Sequence, residues 1–520
     1  MREIRIGHCI DVLRELDAET VQCVVTSPPY WGLRRYDGQQ EAVWPRLAER
    51  EGEASAAACK HKWVMAETTR RHDDRGTSTL TGSNAEQMEA GTFTAAHATC
   101  SKCGAWRGPF GLEPTPELYV EHTVQVLREV RRVLRSDGVV WWNLGDTFFG
   151  SWGNHGARNG KQRTSRKERY PRDAWEGFTG RPPMAGSHSV LKHKDLCAIP
   201  FCVALAAQRD GWWLRSVIVW EKVNAMPESV KDRPTESHEY VLLLTKSERY
   251  FYDADAVREP HQEASVERVQ RRWAAESKYD ENDPQLLHSW MRDRSDMRRC
   301  CHPGGRNMRT VWRFATYPYS GAHFAVFPPE LPRRCILAGT PPKACATCGA
   351  PWKRIIQRDA PLDVPEVGPN SGEFNKPPYQ HNNPHRARLE PEPRERDAFY
   401  TGRTVGWEPT CECHGRAEAV ITKCTECDGS GTAMDADACV ACAGTGSQKM
   451  RVWPEGLLAR WPTRPAIVLD PFAGSGTTLM VAEDLGRWWI GVDICEDYLP
   501  QIQKRTAQRS LAGAFENATV

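Results

Sequence analysis

Apolar positions follow the spacing of strands and helices in several separate stretches of the chain. Residues 1–36 predict a strand, a helix, a strand and a tight turn, and the valine-rich run at 21–25 is typical of a strand buried on both faces. Helical spacing follows over 116–134, and Asp137-Gly138 predicts a turn after it. The other predicted strands lie at 139–144, 213–220, 240–245, 467–469 and 488–492, and the other predicted helices at 195–209, at 477–485 and from about 496. Strands that alternate with helices predict an α/β fold with a mostly parallel sheet covered on both faces.

Long polar stretches interrupt this pattern. Residues 41–110 are polar with a few Cys and His, residues 150–190 are Gly-rich and basic, and residues 254–312 form an Arg-rich insertion. Residues 353–410 are rich in Pro, Arg and Glu and almost without periodicity, which predicts loop or disorder. The ordered stretches therefore predict one fold that carries several insertions.

Composition and charge exclude several classes of protein. The longest apolar run, 196–207, is shorter than the ~20 residues of a spanning helix, so we expect no membrane segment. The first residues lack an apolar signal-peptide core, which predicts a cytoplasmic protein. A net charge of +2 does not by itself demand a polyanionic partner. The 19 cysteines, an odd number in a cytoplasmic chain, indicate metal ligation rather than a disulfide framework.

A glycine turn near the end of the chain has the context of a nucleotide-type loop. The sequence Asp470-Pro-Phe-Ala-Gly-Ser-Gly-Thr-Thr478 follows an apolar strand and opens a helix, so its glycines let the backbone approach a ligand closely. It is neither a phosphate loop nor the full dinucleotide fingerprint. Asp493 ends the next strand, where a carboxylate can accept hydrogen bonds from a ribose diol. The alternative is an ordinary strand-to-helix turn. The candidate cofactor-binding residues are Asp470, Pro471, Phe472, Gly474, Ser475, Gly476, Thr477, Thr478 and Asp493.

A second turn, Thr26-Ser-Pro-Pro-Tyr-Trp31, also lies at the carboxyl end of a predicted strand, where open α/β sheets bind ligands. The two prolines make the turn rigid. Rigidity suits a site that aims the Ser27 hydroxyl and the Pro28 carbonyl at the two N–H groups of a planar amine, while Tyr30 stacks on its ring. The alternative is that the prolines only terminate the strand. The candidate catalytic residues are Ser27, Pro28, Pro29 and Tyr30.

Together the two motifs resemble the amino-directed DNA methyltransferases. In that family the glycine motif binds S-adenosylmethionine and the Pro-Pro-aromatic motif holds the target amine. Here the catalytic motif comes first, which is similar to the circularly permuted β class. Further blocks that resemble the family lie at 7–36, 121–146, 220–239 and 323–331. The last of them implies Phe327 and Pro328 as a second cofactor contact. The chain departs from the family at His8, where Asp is usual, and at Arg35, which leaves cofactor affinity and loop geometry open there.

The resemblance implies a methyltransferase fold with a defined order of segments. The expected segments are a catalytic-motif part at 1–40, a zinc-binding insertion at 41–110, the domain continued at 111–253, a target-recognition region at 254–320, a cofactor-contacting segment at 321–340, a zinc-binding insertion at 341–450 and a cofactor-binding part at 451–520. Its substrate would be double-stranded DNA whose target base leaves the stack, with Tyr30 and Trp31 stacking on it.

An exocyclic amine of cytosine or adenine is a poor nucleophile because its lone pair is delocalised into the ring. Accepting both N–H hydrogens localises that pair, so no covalent intermediate is needed. Within the family Ser27 favours cytosine N4, and adenine N6 is the alternative. Methylation at carbon-5 is disfavoured because the chain has no Pro-Cys dipeptide. A glutamine-amide methyltransferase is contradicted by the motif order, and a non-catalytic zinc-containing nucleic-acid-binding protein by the intact motifs. A separate restriction endonuclease is compatible with the sequence, which shows no nuclease motif.

Paired cysteines predict three structural zinc sites. Two Cys-x2-Cys knuckles, each followed by Gly-x-Gly, supply four thiolates. In the cluster that contains Cys59, His97 is an alternative to His61. The alternative for all three is buried free thiols, and Cys300-Cys301-His302 is a weaker metal candidate. The candidate zinc ligands are Cys424, Cys427, Cys439 and Cys442, then Cys345, Cys348, Cys411 and Cys413, and finally Cys59, His61, Cys100 and Cys103.

Although the net charge of the chain is nearly neutral, two stretches, at 151–190 and 290–313, have an excess of Lys and Arg over Asp and Glu. The positive charge of each stretch is suited to binding DNA phosphates, although basic runs are often only solvated surface. In the family the target-recognition region falls at the position of the second stretch. The candidate DNA-binding residues are Lys161, Arg163, Arg166, Lys167, Arg292, Arg294, Arg298, Arg299, Arg306 and Arg309.

Overall fold

The computed structural model describes residues 1–32, 42–46, 59–71, 92–149, 188–192, 194–225, 227–228, 230–261, 305–316, 326–358, 402–423, 447–454 and 456–507. The strands in these ranges are β1 (Arg2–Ile6), β2 (Val21–Thr26), β3 (Ala42–Trp44), β4 (Trp63–Arg71), β5 (Thr92–Cys100), β6 (Trp106–Gly108), β7 (Leu134–Leu144), β8 (Trp213–Lys222), β9 (His238–Thr245), β10 (Val311–Phe314), β11 (Ala344–Cys345), β12 (Trp352–Arg358), β13 (Gly402–Pro409), β14 (Glu418–Lys423), β15 (Ser447–Val452), β16 (Thr463–Arg464), β17 (Ile467–Asp470) and β18 (Trp488–Asp493). The helices are α1 (Cys9–Glu15), α2 (Pro116–Val133), α3 (Ile199–Arg209), α4 (Glu330–Gly339), α5 (Leu457–Arg460), α6 (Thr477–Asp484) and α7 (Leu499–Ala507), with short 3₁₀ turns at Asp255–Val257 and Glu496–Tyr498.

Eight strands form the main sheet, in the order β1-β18-β17-β2-β7-β9-β8-β10. Neighbours from β1 to β7 run parallel, β9 is antiparallel to both β7 and β8, and β10 is parallel to β8. The predicted mostly parallel sheet is therefore confirmed. The strands β2 and β17 are neighbours although they lie at opposite ends of the sequence. Their carboxyl ends meet at one edge, which is where both candidate turns begin.

Helices cover both faces of this sheet, as expected for strands with unbroken apolar runs. Alternate side chains of each strand point to opposite faces, so Val24 and Val140 join the core cluster built with α1, α2 and α3. Cys23 and Val139 face the other way. There α4 approaches so closely that a Cβ on Gly339 would stand 2.6 Å from Val139 Cγ2 and 2.9 Å from Cys23 Sγ.

The turn predicted at Asp137-Gly138 is wrong, because both residues lie inside β7. The pairing between β2 and β7 shifts register between Val21 and Cys23, so the extra residues of β7 are taken up as an irregularity in the ladder. Arg135 donates from Nε to Asp137 Oδ1 at 2.9 Å across this irregularity. A dipeptide that is typical of a turn is thus part of a strand here.

The insertion at 41–110 contains a four-stranded antiparallel sheet in the order β3-β6-β5-β4. Trp44 and Trp106 are both buried, and the Trp44 ring stacks on the His122 ring of α2 with centroids 4.6 Å apart. Among the described residues of 353–410, the prediction of loop or disorder is wrong at the two ends, where β12 and β13 pair.

The chain divides into two compact units. The first comprises Met1–Asp253, Arg309–Trp352 and Pro409–Val520, and it holds the main sheet. The second comprises Ala254–Met308 and Lys353–Glu408, and its described part includes a bridge between Glu259 and Arg306. Among the helices that the structure describes, none has both the length and the apolar character needed to cross a bilayer.

Candidate active site and cysteine clusters

The glycine turn connects β17 to α6 at the carboxyl edge of the sheet. Gly474 and Gly476 have φ angles of +51° and +78°, which favour glycine. A Cβ on Gly476 would lie 3.1 Å from Ile502 Cγ1, so the turn also has little room for a side chain. The Gly474 N–H donates to Asp493 Oδ2 at 2.7 Å, which ties the turn to the end of β18. The predicted cofactor residues of the turn and Asp493 therefore lie together.

Two buried carboxyl groups lie beneath this turn. Burial raises the pKa of Asp470 to about 6, although the Thr26 hydroxyl donates to its Oδ1 at 2.6 Å. Burial also raises the pKa of Asp493, whose Oδ1 accepts the Cys495 N–H at 2.9 Å. Both oxygens of Asp493 thus already accept hydrogens from the backbone. The contact between Asp493 and a ribose diol stays a prediction.

The remaining predicted cofactor residues occupy several different environments. Ser475 is buried, and its hydroxyl accepts from Arg505 Nη1 at 2.6 Å, while the Thr478 hydroxyl donates to the Val25 carbonyl at 3.3 Å. Pro471 and Thr477 are buried as well. The partly exposed Phe472 ring lies 5.7 Å from the Phe110 ring. Phe327 and Pro328 directly precede α4, and the Pro328 carbonyl accepts the Leu331 N–H at 3.1 Å.

The Ser-Pro-Pro-Tyr turn follows β2, between the ends of β17 and β7. The Pro29 carbonyl accepts the Tyr119 hydroxyl at 3.0 Å, and the Tyr30 ring packs on Gly145, where a Cβ would stand 2.8 Å from its Cε2. Trp31 is 1% exposed and donates from its indole to the Glu113 carbonyl. The prediction that Trp31 stacks on a target base is therefore wrong, because the core already encloses it. Tyr30 stays partly exposed.

Side chains from three other strands converge on this turn. The Ser27 hydroxyl donates to the Tyr30 hydroxyl at 3.0 Å, and Tyr30 donates to Glu239 Oε2 at 2.7 Å. Asn143 Nδ2 donates to both the Tyr30 oxygen and Glu239 Oε2, each at 2.7 Å. Lys222 Nζ donates to Glu239 Oε1 at 2.5 Å. We call these five side chains the Ser27 network.

Sequence reasoning gave no role to Asn143, Lys222 or Glu239. Asn143 and Lys222 lie at the carboxyl ends of β7 and β8, a signal that could have found them, whereas Glu239 lies at the amino end of β9 and carries no such signal. Burial alone would raise the pKa of Glu239, but the Lys222 ammonium and the hydrogen bonds from Lys222, Tyr30 and Asn143 lower it. Glu239 is therefore an ionised carboxylate although its side chain is only 15% exposed.

Two further carboxyl groups lie near the network. Asp146 Oδ1 accepts the Thr147 and Ile199 N–H groups, at 2.8 and 3.1 Å, so Asp146 caps the start of α3. Burial raises the pKa of Asp146. Burial, followed by repulsion from Asp146, raises the pKa of Glu236 to about 7. This acidic character contrasts with the basic stretches expected to contact DNA.

Two of the three predicted cysteine clusters fall within the described residues. In each, the four candidate ligand atoms lie within 4.8 Å of one another. Cys59 Sγ and Cys100 Sγ are 3.9 Å apart, close to the ~3.8 Å edge of a tetrahedron with Zn–S bonds of about 2.3 Å. His61 completes the first cluster, with its Nδ1 3.4 Å from Cys103 Sγ. The second cluster consists of Cys345, Cys348, Cys411 and Cys413.

The third cluster, Cys424, Cys427, Cys439 and Cys442, lies outside the described residues, as does Cys300-Cys301-His302. The strands on either side of the third cluster are described, and they pair antiparallel with Lys423 opposite Ser447. The chain segments that lead into and out of these cysteines are thus brought side by side.

Most predicted DNA contacts also lie outside the described residues, namely Lys161, Arg163, Arg166, Lys167, Arg292, Arg294, Arg298 and Arg299. Arg306 is described and forms an ion pair with Glu259 at 3.1 Å. The Arg309 carbonyl accepts the Trp312 indole N–H at 2.9 Å. If Arg306 binds a DNA phosphate, its guanidinium must therefore leave Glu259 or contact both groups at once.

Comparison with known proteins agrees with this site. The N6/N4 methyltransferase family model, described as DNA methylase, matches residues 21–346 and 458–504, which include both turns. The Type II methyltransferase M.Cfr9I of Citrobacter freundii is 34% identical over 337 residues, covering 65% of this chain and 72% of that protein. M.SmaI of Serratia marcescens is 30% identical over 65% of this chain and 76% of its own length. The PvuII DNA methyltransferase (cytosine-N4-specific) structure aligns over 98% of this chain and 88% of its own, at 11% identity and a TM-score of 0.38. The chain therefore belongs to the N6/N4 DNA methylase family and is an S-adenosylmethionine-dependent DNA methyltransferase that acts on an exocyclic amino group.

Proposed function

We propose that this protein methylates the N4 amino group of cytosine in double-stranded DNA. The observation that carries the proposal is the Ser27 hydroxyl, fixed by Tyr30 at the carboxyl end of β2 beside the cofactor turn. Serine at this position favours cytosine within the family, and adenine N6 is the second candidate. Nucleoside mass spectrometry of treated DNA tests the choice: N4-methylcytosine is expected, and N6-methyladenine alone would overturn it.

The residues at the ends of β17 and β18 fit S-adenosylmethionine. Gly474 and Gly476 open the backbone to a ligand, and the buried Asp493 carboxylate offers acceptors for a diol. Phe472 adds a partly exposed aromatic surface. When bound, the cofactor supplies an electrophilic methyl group. The ends of β2 and β17 are held together by the hydrogen bond from Thr26 to Asp470, so the two halves of the site are built as one unit.

The Ser27 oxygen accepts one N–H of the target amine and the Pro28 carbonyl accepts the other. Both contacts strengthen as the nitrogen becomes tetrahedral, so they act mainly on turnover. Ser27→Ala should lower the single-turnover rate ~10- to 1,000-fold, by comparison with removing one oxyanion-hole donor. DNA affinity and its salt dependence should be retained, because phosphate contacts lie elsewhere. A wild-type rate in Ser27→Ala would show that the serine is only a turn residue.

We propose that the enzyme modifies a defined DNA site beside a separate restriction endonuclease, since M.Cfr9I and M.SmaI are both named Type II methyltransferases. Methylation-aware sequencing of host DNA, with and without the gene, tests this. Methylation at one short sequence motif is expected, and methylation without sequence preference would contradict it. Residues 254–320 are our candidate for the target-recognition region.

We propose that the described cysteine clusters bind structural Zn²⁺. Four ligand atoms within 4.8 Å of one another suit one tetrahedral ion, and zinc would fix insertions that have small cores of their own. We expect two to three zinc ions per chain by elemental analysis. Cys103→Ser and Cys348→Ser should each lower the zinc content by about one ion. Cys202→Ser, an exposed cysteine of α3 outside the clusters, is the matched control. Zinc-free protein purified without chelators would refute the proposal.

A further inference from the structure

The Ser27 network has a definite direction of hydrogen bonding. The Glu239 carboxylate receives hydrogens from Lys222, Tyr30 and Asn143 and has none to give. The single hydrogen of the Tyr30 hydroxyl therefore points to Glu239 Oε2, 2.7 Å away. The Tyr30 oxygen is then left as an acceptor, and it receives one hydrogen from Asn143 and one from Ser27.

This direction fixes the chemical character of Ser27. A serine hydroxyl has one hydrogen and two lone pairs, and the hydrogen is committed to Tyr30 at 3.0 Å. The Ser27 oxygen consequently faces the ligand edge of the sheet with lone pairs only. An amine presents N–H donors and is complementary to such an oxygen. A ring carbonyl, as in thymine or guanine, would set one acceptor against another.

We propose that Glu239, paired with Lys222, is a positioning residue that acts through Tyr30 to make Ser27 an obligate hydrogen-bond acceptor for the target amine. The inference rests on the proposed contact between Ser27 and that amine, but it is independent of whether the base is cytosine or adenine. It assigns a role to Glu239 on β9, which Tyr30 and Ser27 separate from the target amine, and to Lys222 on β8, which pairs with Glu239.

Glu239→Gln tests the direction of these hydrogen bonds, because glutamine has nearly the same shape as glutamate but carries two N–H donors in place of one carboxylate oxygen. Lys222 would draw the amide oxygen of glutamine toward itself, so the amide nitrogen would face Tyr30. The Tyr30 hydrogen would then turn to Ser27, and Ser27 would point its own hydrogen at the substrate. We expect the single-turnover rate of methyl transfer to DNA amplified in vitro to fall ~10- to 1,000-fold. The affinity for DNA and S-adenosylmethionine should change less than about threefold.

Tyr30→Phe removes the hydroxyl group that joins Ser27 to Glu239, and it supplies the decisive comparison. Ser27 would be free to rotate and could still accept from the amine, so we expect a smaller loss, less than about tenfold. Once the link is gone, Glu239→Gln should have no further effect, and the double variant should be faster than Glu239→Gln alone. A merely structural role for Glu239 would instead make the double variant the slowest. Glu221→Gln is the matched control, because Glu221 neighbours Lys222 on β8 but pairs with Arg313 near the surface.

Lys222→Met gives an independent readout in the pH profile. The titratable described groups that face Glu239 are Lys222 from β8 and Tyr30 from the β2 turn, while β7 contributes the uncharged Asn143. Without the Lys222 ammonium, burial raises the pKa of Glu239. As the pH is lowered, the rate of methyl transfer should therefore begin to fall at a pH at least one unit higher than in the wild type. Glu236 also interacts with Lys222, and the profile is therefore repeated in a Glu236→Gln background.

The outcomes separate this inference from the proposed function. A wild-type enzyme that methylates DNA, with a slow Ser27→Ala variant and an unimpaired Glu239→Gln variant, would overturn the inference alone. A Ser27→Ala variant with the wild-type rate would overturn the proposed contact on which it rests. Additive losses in Glu239→Gln and Tyr30→Phe would also overturn the inference, whereas rescue of Glu239→Gln by Tyr30→Phe would support it.

Discussion

Asp470→Asn should make the protein progressively more stable than the wild type as the pH rises. Burial raises the pKa of Asp470 from an ordinary 3.8 to about 6 in the folded state. Well below pH 4 the carboxyl is protonated in both folded and unfolded chains, and its ionisation has no effect on stability. Above pH ~6 it is ionised in both, and the folded state carries the cost of a buried charge. A difference of about two pKa units corresponds to about 3 kcal/mol lost across this window.

An amide at position 470 keeps the Oδ1 acceptor for the Thr26 hydroxyl but cannot ionise. The free energy of unfolding of Asp470→Asn minus that of the wild type should therefore rise by about 2.5 kcal/mol between pH 4 and pH 8. Urea unfolding at several pH values measures both quantities, and the comparison cancels the titration of other groups such as Glu236. Asp11→Asn, which makes the same substitution at an exposed position on α1, is the matched control.

Thr26→Val sharpens the test. The Thr26 hydroxyl donates to Asp470 Oδ1 at 2.6 Å and stabilises the ionised form, so its removal should raise the pKa of Asp470 further. The pH window in which stability is lost should then shift upward. A difference between Asp470→Asn and wild type that stays constant from pH 4 to pH 8 would refute the reasoning, because it would mean that Asp470 titrates alike in the folded and unfolded chains.

Other expectations concern the core and the cofactor turn. Glu113→Ala leaves the buried His122 Nδ1 and the Gly111 N–H without their described partner, and should lower the free energy of unfolding by roughly 2 to 6 kcal/mol in urea titrations. Gly476→Ala, at φ +78°, should weaken S-adenosylmethionine binding at least ~10-fold by calorimetry while costing about 1–2 kcal/mol of stability. Gly339→Ala would drive a Cβ against β7 and should cost about 1–3 kcal/mol without changing cofactor affinity.

The sheet and its ligand edge were predictable because they depend on local patterns. Apolar runs of strand length ended in the two turns, and the rule that parallel strands present their carboxyl ends at one edge put those turns in the same place. The pairing of β2 with β17 was not predicted from the sequence, because the alternation of strands and helices does not give the order of strands in the sheet. The cysteine pairs were equally local, since Cys-x2-Cys spacing is itself the signal.

The Ser27 network was not predictable in the same way. Glu239 reaches the ligand edge at the start of β9, because β9 runs antiparallel to its neighbours and brings its amino end to that edge. Lys222 reaches it at the end of β8. Which strand reverses in an α/β sheet is a tertiary feature, and the apolar run of β9 is the same in either direction. The small sheet in 41–110 is not predicted for a related reason, since its two long strands, β4 and β5, mix polar with apolar residues, and its buried tryptophans, Trp44 and Trp106, lie on the short strands β3 and β6.

The order of motifs in this chain has a physical consequence for how the site holds together. The catalytic turn follows β2 and the cofactor turn follows β17, yet the two strands are neighbours, with Val24 paired to Leu469. Because parallel strand ends meet at one edge whatever their order along the chain, a permuted sequence builds the same edge. The Thr26 hydroxyl then bonds to Asp470, and the Thr478 hydroxyl to the Val25 carbonyl. These contacts join residues from opposite ends of the sequence, so each turn is stabilised by the strand that carries the other.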